Sequence, residues 1–258
     1  MSNYLYEVWI CFLAGAGAGI GTGFAGMSAA TVTTPMLCTC RGGEAYDAIG
    51  SARACEGRAS AVSAYTYARN KSIDIRNGLV MMVSVLVMTT VGSWLSSLVP
   101  SSALGNTSVL MLVLLGLKFL ILPVTSTRRT MEGESLAIRV LKGILGGSVI
   151  GLVCGFFGAG GGMMMLLVLT VVLGYELKTA VGTSVFIMTF SALTGAVSHV
   201  AMGSRPQPDL LVLCILFTLG WAQVAARIAT RASTLLLNRM TGAVLPVLGV
   251  VLIVINYC

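Results

Sequence analysis

Three charged residues, Arg53, Glu56 and Arg58, lie close together in an otherwise largely apolar stretch, residues 48–69. A helix that began only after Arg58 would keep about eleven residues before Arg69, or about 16 Å, which is half of the ~30 Å hydrocarbon core of a bilayer. We therefore expect the charges to lie at membrane depth, where an ionisable group indicates a functional site. Glu56 can pair with Arg53 on the same helix face, which leaves Arg58 available for a negatively charged ligand. Arg53 is also a candidate to bind the substrate, and structural ion pairing and snorkelling to an interface are the alternatives for both arginines.

Two glycine-rich stretches contain the next candidate site residues. The first covers residues 23–28 and the second covers residues 155–162, where five of the eight residues are glycine. Glycine is unfavourable within helices, so each stretch predicts unwound backbone, which persists at membrane depth only where protein or a water-filled cavity surrounds it. The N–H groups of such backbone and the start of the following helix would suit an anion. The candidate ligand-binding positions are Gly26, Met27, Ser28, Ala159, Gly160 and Gly161.

Hydroxyl and imidazole side chains on a later apolar stretch, residues 179–202, complete the candidate site. Thr183 and Ser184 follow a glycine near its start, where hydroxyl and backbone donors would suit an oxyanion. The alternative is that both hydroxyls bond to the backbone of their own helix. His199 titrates near neutrality and is a candidate for proton coupling together with Glu56, while a histidine at the membrane interface is the alternative.

The composition indicates that membrane-spanning helices hold these residues. Hydrophobic residues make up 56% of the chain and charged residues 10%, whereas soluble domains carry about 25% charged residues. A spanning helix needs ~20 largely apolar residues, and such stretches recur from end to end. The predicted class is an all-α polytopic membrane protein. The predicted segments are 5–24, 27–40, 48–69, 78–99, 105–124, 138–157, 160–174, 179–202, 209–230 and 238–257.

The sequence also repeats itself after a shift of 132 residues, so that Gly15 matches Gly147 and Glu44 matches Glu176. Five segments fall in each half, and because five is odd, the second half enters the membrane from the opposite side. Two inverted repeats with Gly-rich broken helices near the midplane are typical of secondary transporters. The predicted organisation is a first transmembrane repeat (1–124), a cytoplasmic linker (125–137) and a second transmembrane repeat (138–258).

The net charge of +7 arises largely from Lys and Arg in particular connections between these segments. They lie near residues 69–76, 128–142 and 227–239. The positive-inside rule places these connections in the cytoplasm and both termini outside. The basic charge therefore predicts a membrane topology, and we expect no nucleic-acid partner.

The sequence gives little sign of metal binding, cofactors or catalysis. Residues 21–26 fit G-x-G-x-x-G, but no strand precedes them and they lie in a predicted membrane helix, so we infer no dinucleotide site. The seven cysteines are scattered, mostly within apolar segments, and imply neither a disulfide framework nor a metal site. Neither an H-E-x-x-H motif nor a Walker-type phosphate-binding motif is present. We expect no cofactor, no bound metal and no enzymatic activity.

Two stretches in the second half resemble a known family, the sulfite exporter TauE/SafE family of membrane permeases. One is the glycine-rich stretch 155–162, and the other is the Lys-Thr-Ala-Val-Gly-Thr-Ser run at residues 178–184. The repeat covers essentially the whole chain. The first half departs from the family pattern at residues 25–29 and in its three additional charges. The resemblance implies export or uptake of sulfite, sulfoacetate or related organosulfonates.

These observations together predict a secondary transporter for a small sulfur-containing anion that works by alternating access. An anion channel, or a permease for an unrelated small anion, remains an alternative. The expected location is the plasma membrane, as a multi-pass protein, and in a prokaryote the inner membrane. The expected partners are the small anion and the lipid bilayer, with homodimerisation left open because glycine faces serve internal packing and dimer contacts equally well.

Overall fold

The computed structural model describes residues 2–41, 45–100, 136–157, 161–204, 208–233 and 236. Across these ranges the chain forms helices and no strands, which confirms the all-α class. The predicted segments 105–124 and 238–257, and most of the predicted linker 125–137, lie outside the described residues. The helices are α1 (Ser2–Ala25), α2 (Ala30–Arg41), α3 (Ala45–Arg69), α4 (Ile75–Ser97), α5 (Leu136–Phe157), α6 (Gly161–Leu167), a π-helical turn (Val168–Val172), α7 (Leu177–Ala201) and α8 (Pro208–Arg231).

Four of these helices are long and apolar enough to cross a membrane. The apolar spans are Val8–Ala25, Ile75–Ser97, Leu177–Ala201 and Leu211–Arg231, and a shorter one covers Val140–Phe156. Large apolar side chains on their outer faces are exposed. Contact of such a surface with water is unfavourable, whereas contact with lipid is not. The chain is therefore a multi-pass membrane protein, as predicted. The charged helix α3 is not among the four apolar spans.

Glycine stripes allow the helices of the two halves to pack backbone to backbone. On α1, a Cβ atom added at Gly19 would lie only 2.7 Å from the backbone nitrogen of Ala222 on α8. On α5, Gly151 packs in the same way against Val85 of α4. Close approach of this kind is the usual role of glycines spaced four apart in membrane helices. These glycine faces therefore serve packing between helices of the two halves.

The packing also follows the internal repeat. The first helix of each half lies against the fourth helix of the other half, α1 on α8 and α5 on α4. The third helices, α3 and α7, pack on each other, with Gly50 near His199 and Gly57 near Leu193, so they run antiparallel. Antiparallel mates are what an inverted repeat requires. The full inverted repeat stays a prediction, because the fifth segment of each half lies beyond the described residues.

The first predicted break separates α1 from α2. Gly26 adopts a left-handed conformation with φ of 59°, which glycine tolerates at a helix end, and its N–H donates to the Thr22 carbonyl. The following helix, α2, has 12 residues and spans about 18 Å, too short to cross a bilayer. In the second half, the seven-residue α6 passes into a π-helical turn, a geometry often found at functional sites.

Candidate functional site

A fully buried ion pair lies near the middle of α3. Arg53 and Glu56 are both 0% exposed, and the Arg53 Nη1 donates to Glu56 Oε2 at 2.8 Å. The pairing predicted from their spacing is confirmed. The guanidinium also donates to the Ser191 carbonyl at 3.3 Å, and its Nη1 lies 3.5 Å from the Cys154 sulfur. Because Cys154 and Ser191 belong to the second half, the cation joins the two halves.

Gly195 in the second half leaves space for the Arg53 side chain, because glycine has no side chain of its own. A Cβ atom at Gly195 on α7 would lie 2.7 Å from Arg53 Nε. Both Arg53 Nε and Glu56 Oε1 are buried without a hydrogen-bond partner, so each charged group keeps unused bonding capacity. The sequence did not reveal these neighbours. One sequence feature hinted at them: the repeat aligns the apolar helix α7 with the charged helix α3.

The first break lies beside the ion pair. The Ser28 side chain lies next to the Glu56 carboxyl group. The Gly26 carbonyl accepts a hydrogen bond from the Ser184 hydroxyl at 3.2 Å. A Cβ atom at Gly162 would lie 2.5 Å from the Ser28 nitrogen, so the backbone at the start of α6 packs directly on the first break. Residues from both predicted break regions thus meet at the charged centre.

Several predicted site residues are gathered here, while others are not. Gly26, Met27, Ser28 and Ser184 lie around the junction described above, and Gly161 packs on Cys154. Ala159 and Gly160 fall among residues that the structure does not describe. The ligand-binding role of these positions stays a prediction.

Arg58 and Thr183 make other contacts, whereas His199 lies within electrostatic reach of Arg53. Arg58 is exposed on the outside of α3, where its Nη1 donates to the Ala54 carbonyl at 3.3 Å, so the geometry gives its predicted role in ligand binding no support. The Thr183 hydroxyl accepts from the Asp74 N–H at 3.0 Å. His199 is fully buried near the end of α7, beside the backbone of Gly155, and its role in proton coupling stays a prediction.

A second polar contact joins the two halves at the α3–α4 connection. The Tyr175 hydroxyl donates to the Asp74 carboxylate at 2.6 Å, and the Asn77 side chain donates to the same oxygen at 2.8 Å. Burial alone would raise the pKa of the Asp74 carboxyl, but these hydrogen bonds outweigh it and lower that pKa below its ordinary value of 3.8. Asp74 also caps the N-terminus of α4.

Tyr175→Phe is expected to destabilise the protein at neutral pH by about 1 kcal/mol, a value reduced because Asp74 is partly exposed. Because the folded-state pKa of Asp74 lies below 3.8, its stabilising contribution is present above that pH and is lost as the pH falls through the folded value. The difference in Tm between wild type and Tyr175→Phe, measured in detergent, should therefore shrink below about pH 4. A difference that stays constant with pH would mean that the carboxylate form is not what Tyr175 stabilises.

The ion pair is closed to the outside in this structure. Two apolar grooves, of about 410 and 480 Å³, lie along α4 and are lined by residues such as Trp94 and Val83. Neither groove reaches Arg53 or Glu56. Within the described part of the chain, no group of three or more His, Cys, Asp or Glu residues could hold a metal ion. The charged centre is therefore occluded, with the first break against one side of it.

Buried charge between two helical halves, beside interrupted helices, is the arrangement found in membrane transporters. The comparisons with known proteins agree. The family model described as sulfite exporter TauE/SafE matches residues 11–252, and the chain belongs to this family of membrane transporters. The resemblance inferred from residues 155–162 and 178–184 is thereby confirmed.

Two curated relatives come from Bacillus subtilis (strain 168). The probable membrane transporter protein YunE is 26% identical over 154 residues, which cover 55% of this chain and 56% of that protein. This chain therefore aligns with little more than half the length of YunE. The probable membrane transporter protein YdhB is 24% identical over 209 residues, covering 81% of this chain and 85% of that protein. No solved structure matches the chain.

Proposed function

We propose that this protein is a secondary transporter that carries a small sulfur-containing anion, sulfite or an organosulfonate, across the plasma membrane by alternating access. The family description supports the substrate class. The observation that carries the proposal is Arg53, a cation with no exposed surface that contacts both halves of the molecule. A buried charge is costly unless a counter-charge accompanies it; Glu56 is that counter-charge in this structure, and an anionic substrate could take its place.

Arg53 has the right chemistry for an oxyanion. Its planar guanidinium presents several donors in a fixed fork, which matches the oxygens of carboxylate, phosphate or sulfonate groups. In the occluded state described here, the Glu56 carboxylate occupies part of that fork. An incoming anion would compete with Glu56 for Arg53, and protonation of Glu56 would favour the substrate. This exchange would couple anion binding to a proton.

Alternating access would follow from relative movement of the two halves. Two hydrogen bonds join them at the centre, from Arg53 to Ser191 and from Ser184 to Gly26, beside the close packing of Gly162 on the first break. Rocking about such a centre would expose the ion pair first to one side of the membrane and then to the other. The closed state of the centre favours a carrier over a permanently open channel.

The test is uptake of radiolabelled sulfite into sealed proteoliposomes, with two matched variants. Arg53→Lys keeps the charge but loses the planar fork, so uptake should fall about tenfold or more, as expected when roughly 1.4 kcal/mol of recognition is lost. Arg58→Lys makes the same change on the same helix at an exposed position, and should leave uptake close to the wild-type value. Folding of each variant is checked by monodispersity in detergent.

Each result has a defined meaning. Absence of saturable sulfite uptake by folded wild type would remove sulfite as the substrate, and an organosulfonate panel would follow. Equal loss in both variants, or loss in Arg58→Lys alone, would contradict the assignment of Arg53. Flux that does not saturate with concentration would favour the channel alternative.

A further inference from the structure

A row of buried polar side chains continues from the ion pair along one face of α3. Arg53, Glu56, Ser60, Ser63 and Tyr67 are spaced three or four residues apart, which places them on one helix face. All five are 0% exposed. We call this face the α3 polar stripe. Such a face is unusual on a helix in a membrane protein, because buried polar groups without partners are costly.

The two serines of the stripe have unsatisfied hydroxyl groups. Neither Ser60 Oγ nor Ser63 Oγ has a hydrogen-bond partner in the structure. Elsewhere, hydroxyls within helices bond to the carbonyl four residues earlier, as Thr22 does with Ala18 and Thr218 with Cys214. That bond is the usual way for a membrane helix to satisfy a hydroxyl. The stripe serines therefore keep donors and acceptors that their own helix does not use.

Both ends of the stripe border the first break. Ser28 lies beside Glu56 at one end, and the Tyr67 hydroxyl donates to the Gly23 carbonyl at 3.0 Å at the other. Ser60 and Ser63 lie between these contacts. The distance along the helix from Glu56 to Tyr67 is about 16 Å, roughly half of the hydrocarbon core. The stripe thus connects the charged centre with the end of α3 at the positively charged connection 69–76.

Other unpartnered hydroxyls have a different setting. Thr89, Ser93 and Ser96 on α4 are also buried without partners, but α4 packs there on the glycine stripe of α5. No buried ion pair adjoins them among the described residues. The α3 polar stripe differs because it begins at the buried cation Arg53 and lies beside the break at residues 23–28.

We propose that Ser60 and Ser63 line the route by which the anion passes between Arg53 and the membrane side of the 69–76 connection. The inference rests on the proposed function. In the occluded state the route is closed by the break at residues 23–28. When the halves move, water and the anion enter, and the two hydroxyls donate hydrogen bonds to the anion's oxygens along the way. Tyr67, whose hydroxyl donates to the Gly23 carbonyl, lies at the end of the route next to the 69–76 connection.

Cysteine labelling provides the test. Ser60→Cys and Ser63→Cys are close in size to the natural residues, and each is treated with N-ethylmaleimide in proteoliposomes. The modified residue is identified by peptide mass spectrometry and normalised to labelling after denaturation. The natural Cys55 is the control in the same molecule, because it lies on the same helix, is 1% exposed, and packs with Cys11 and Cys214 instead.

The introduced cysteines should react at least about tenfold faster than Cys55, because thiols react as thiolates that need water, and Cys55 is reached only by local unfolding. After removal of the reagent, labelled Ser60→Cys and Ser63→Cys proteins should lose more sulfite uptake than wild type treated in the same way, in which Cys154, 3.5 Å from Arg53, is the natural thiol next to the binding centre. Two variants are used, so that if one fails to fold, the other still tests the route.

The outcomes separate this inference from the proposed function. Labelling of both folded variants no faster than that of Cys55 would overturn the route, whatever the wild-type uptake. Rapid labelling that leaves uptake unchanged would overturn it equally. If wild type takes up neither sulfite nor methanesulfonate, the proposed substrates fail, and the labelling ratio alone then decides whether a water-filled route follows the α3 polar stripe.

Discussion

Arg53→Met is expected to lower the free energy of unfolding by about 3–5 kcal/mol, because it leaves the buried carboxylate of Glu56 without its counter-charge. Both groups are fully buried, and the carboxylate's second oxygen already lacks a partner. Solvent does not replace the guanidinium, because neither side chain has exposed surface. The measurement is the apparent Tm in detergent, together with the yield of monodisperse protein.

The double variant Arg53→Met/Glu56→Met separates stability from function. Replacing a buried ion pair by apolar residues of similar volume is often neutral or stabilising, so the double variant should recover most of the lost Tm. It should still fail to take up sulfite, because the anion has lost its cation. Recovery of uptake together with Tm would mean that the pair serves the fold alone. Failure of the double variant to recover Tm would show that contacts to Ser191 or Cys154, rather than the charge balance, dominate the energy.

Gly162→Ala is expected to be the second most disruptive change. The added Cβ would lie 2.5 Å from the Ser28 nitrogen and 2.7 Å from the Met27 carbonyl carbon, and backbone atoms cannot rotate away as a side chain can. Overpacking of this kind typically costs about 1–3 kcal/mol, less the ~1 kcal/mol that alanine gains over glycine in a helix. The two break regions must separate to relieve the overlap. We therefore expect a marked loss of sulfite uptake together with a small fall in Tm.

Gly220→Ala is the matched control for this change. It lies within α8, and a Cβ atom there would meet nothing within 4 Å, so alanine should raise stability by up to about 1 kcal/mol through its helix propensity alone. Both variants are measured for Tm in detergent and for sulfite uptake in proteoliposomes. Equal stabilisation of the two variants would contradict the direct packing of α6 on the first break.

Some features of the site could be predicted because they are local. The pairing of Arg53 with Glu56 depends only on helix geometry, which brings residues three apart to the same face. The end of α1 near Gly26 follows from the poor helix propensity of glycine and its tolerance of positive φ. The repeat similarly predicted which helices correspond, since a shared sequence pattern implies a shared element. The prediction that Arg58 binds the anion rests on local reasoning as well, and the tertiary structure gives that prediction no support.

The sequence by itself determined that this chain is an all-helical membrane protein with a charged helix, two glycine-rich stretches and membership of a transporter family. Apolar length and local propensity suffice for these conclusions, because they depend on neighbouring residues. Only the tertiary structure decided that Arg53 is buried against Ser191 and Gly195 while Arg58 faces outward. That outcome depends on how α3 is rotated against α7 and the first break, and the rotation results from close packing between residues that are far apart in the sequence.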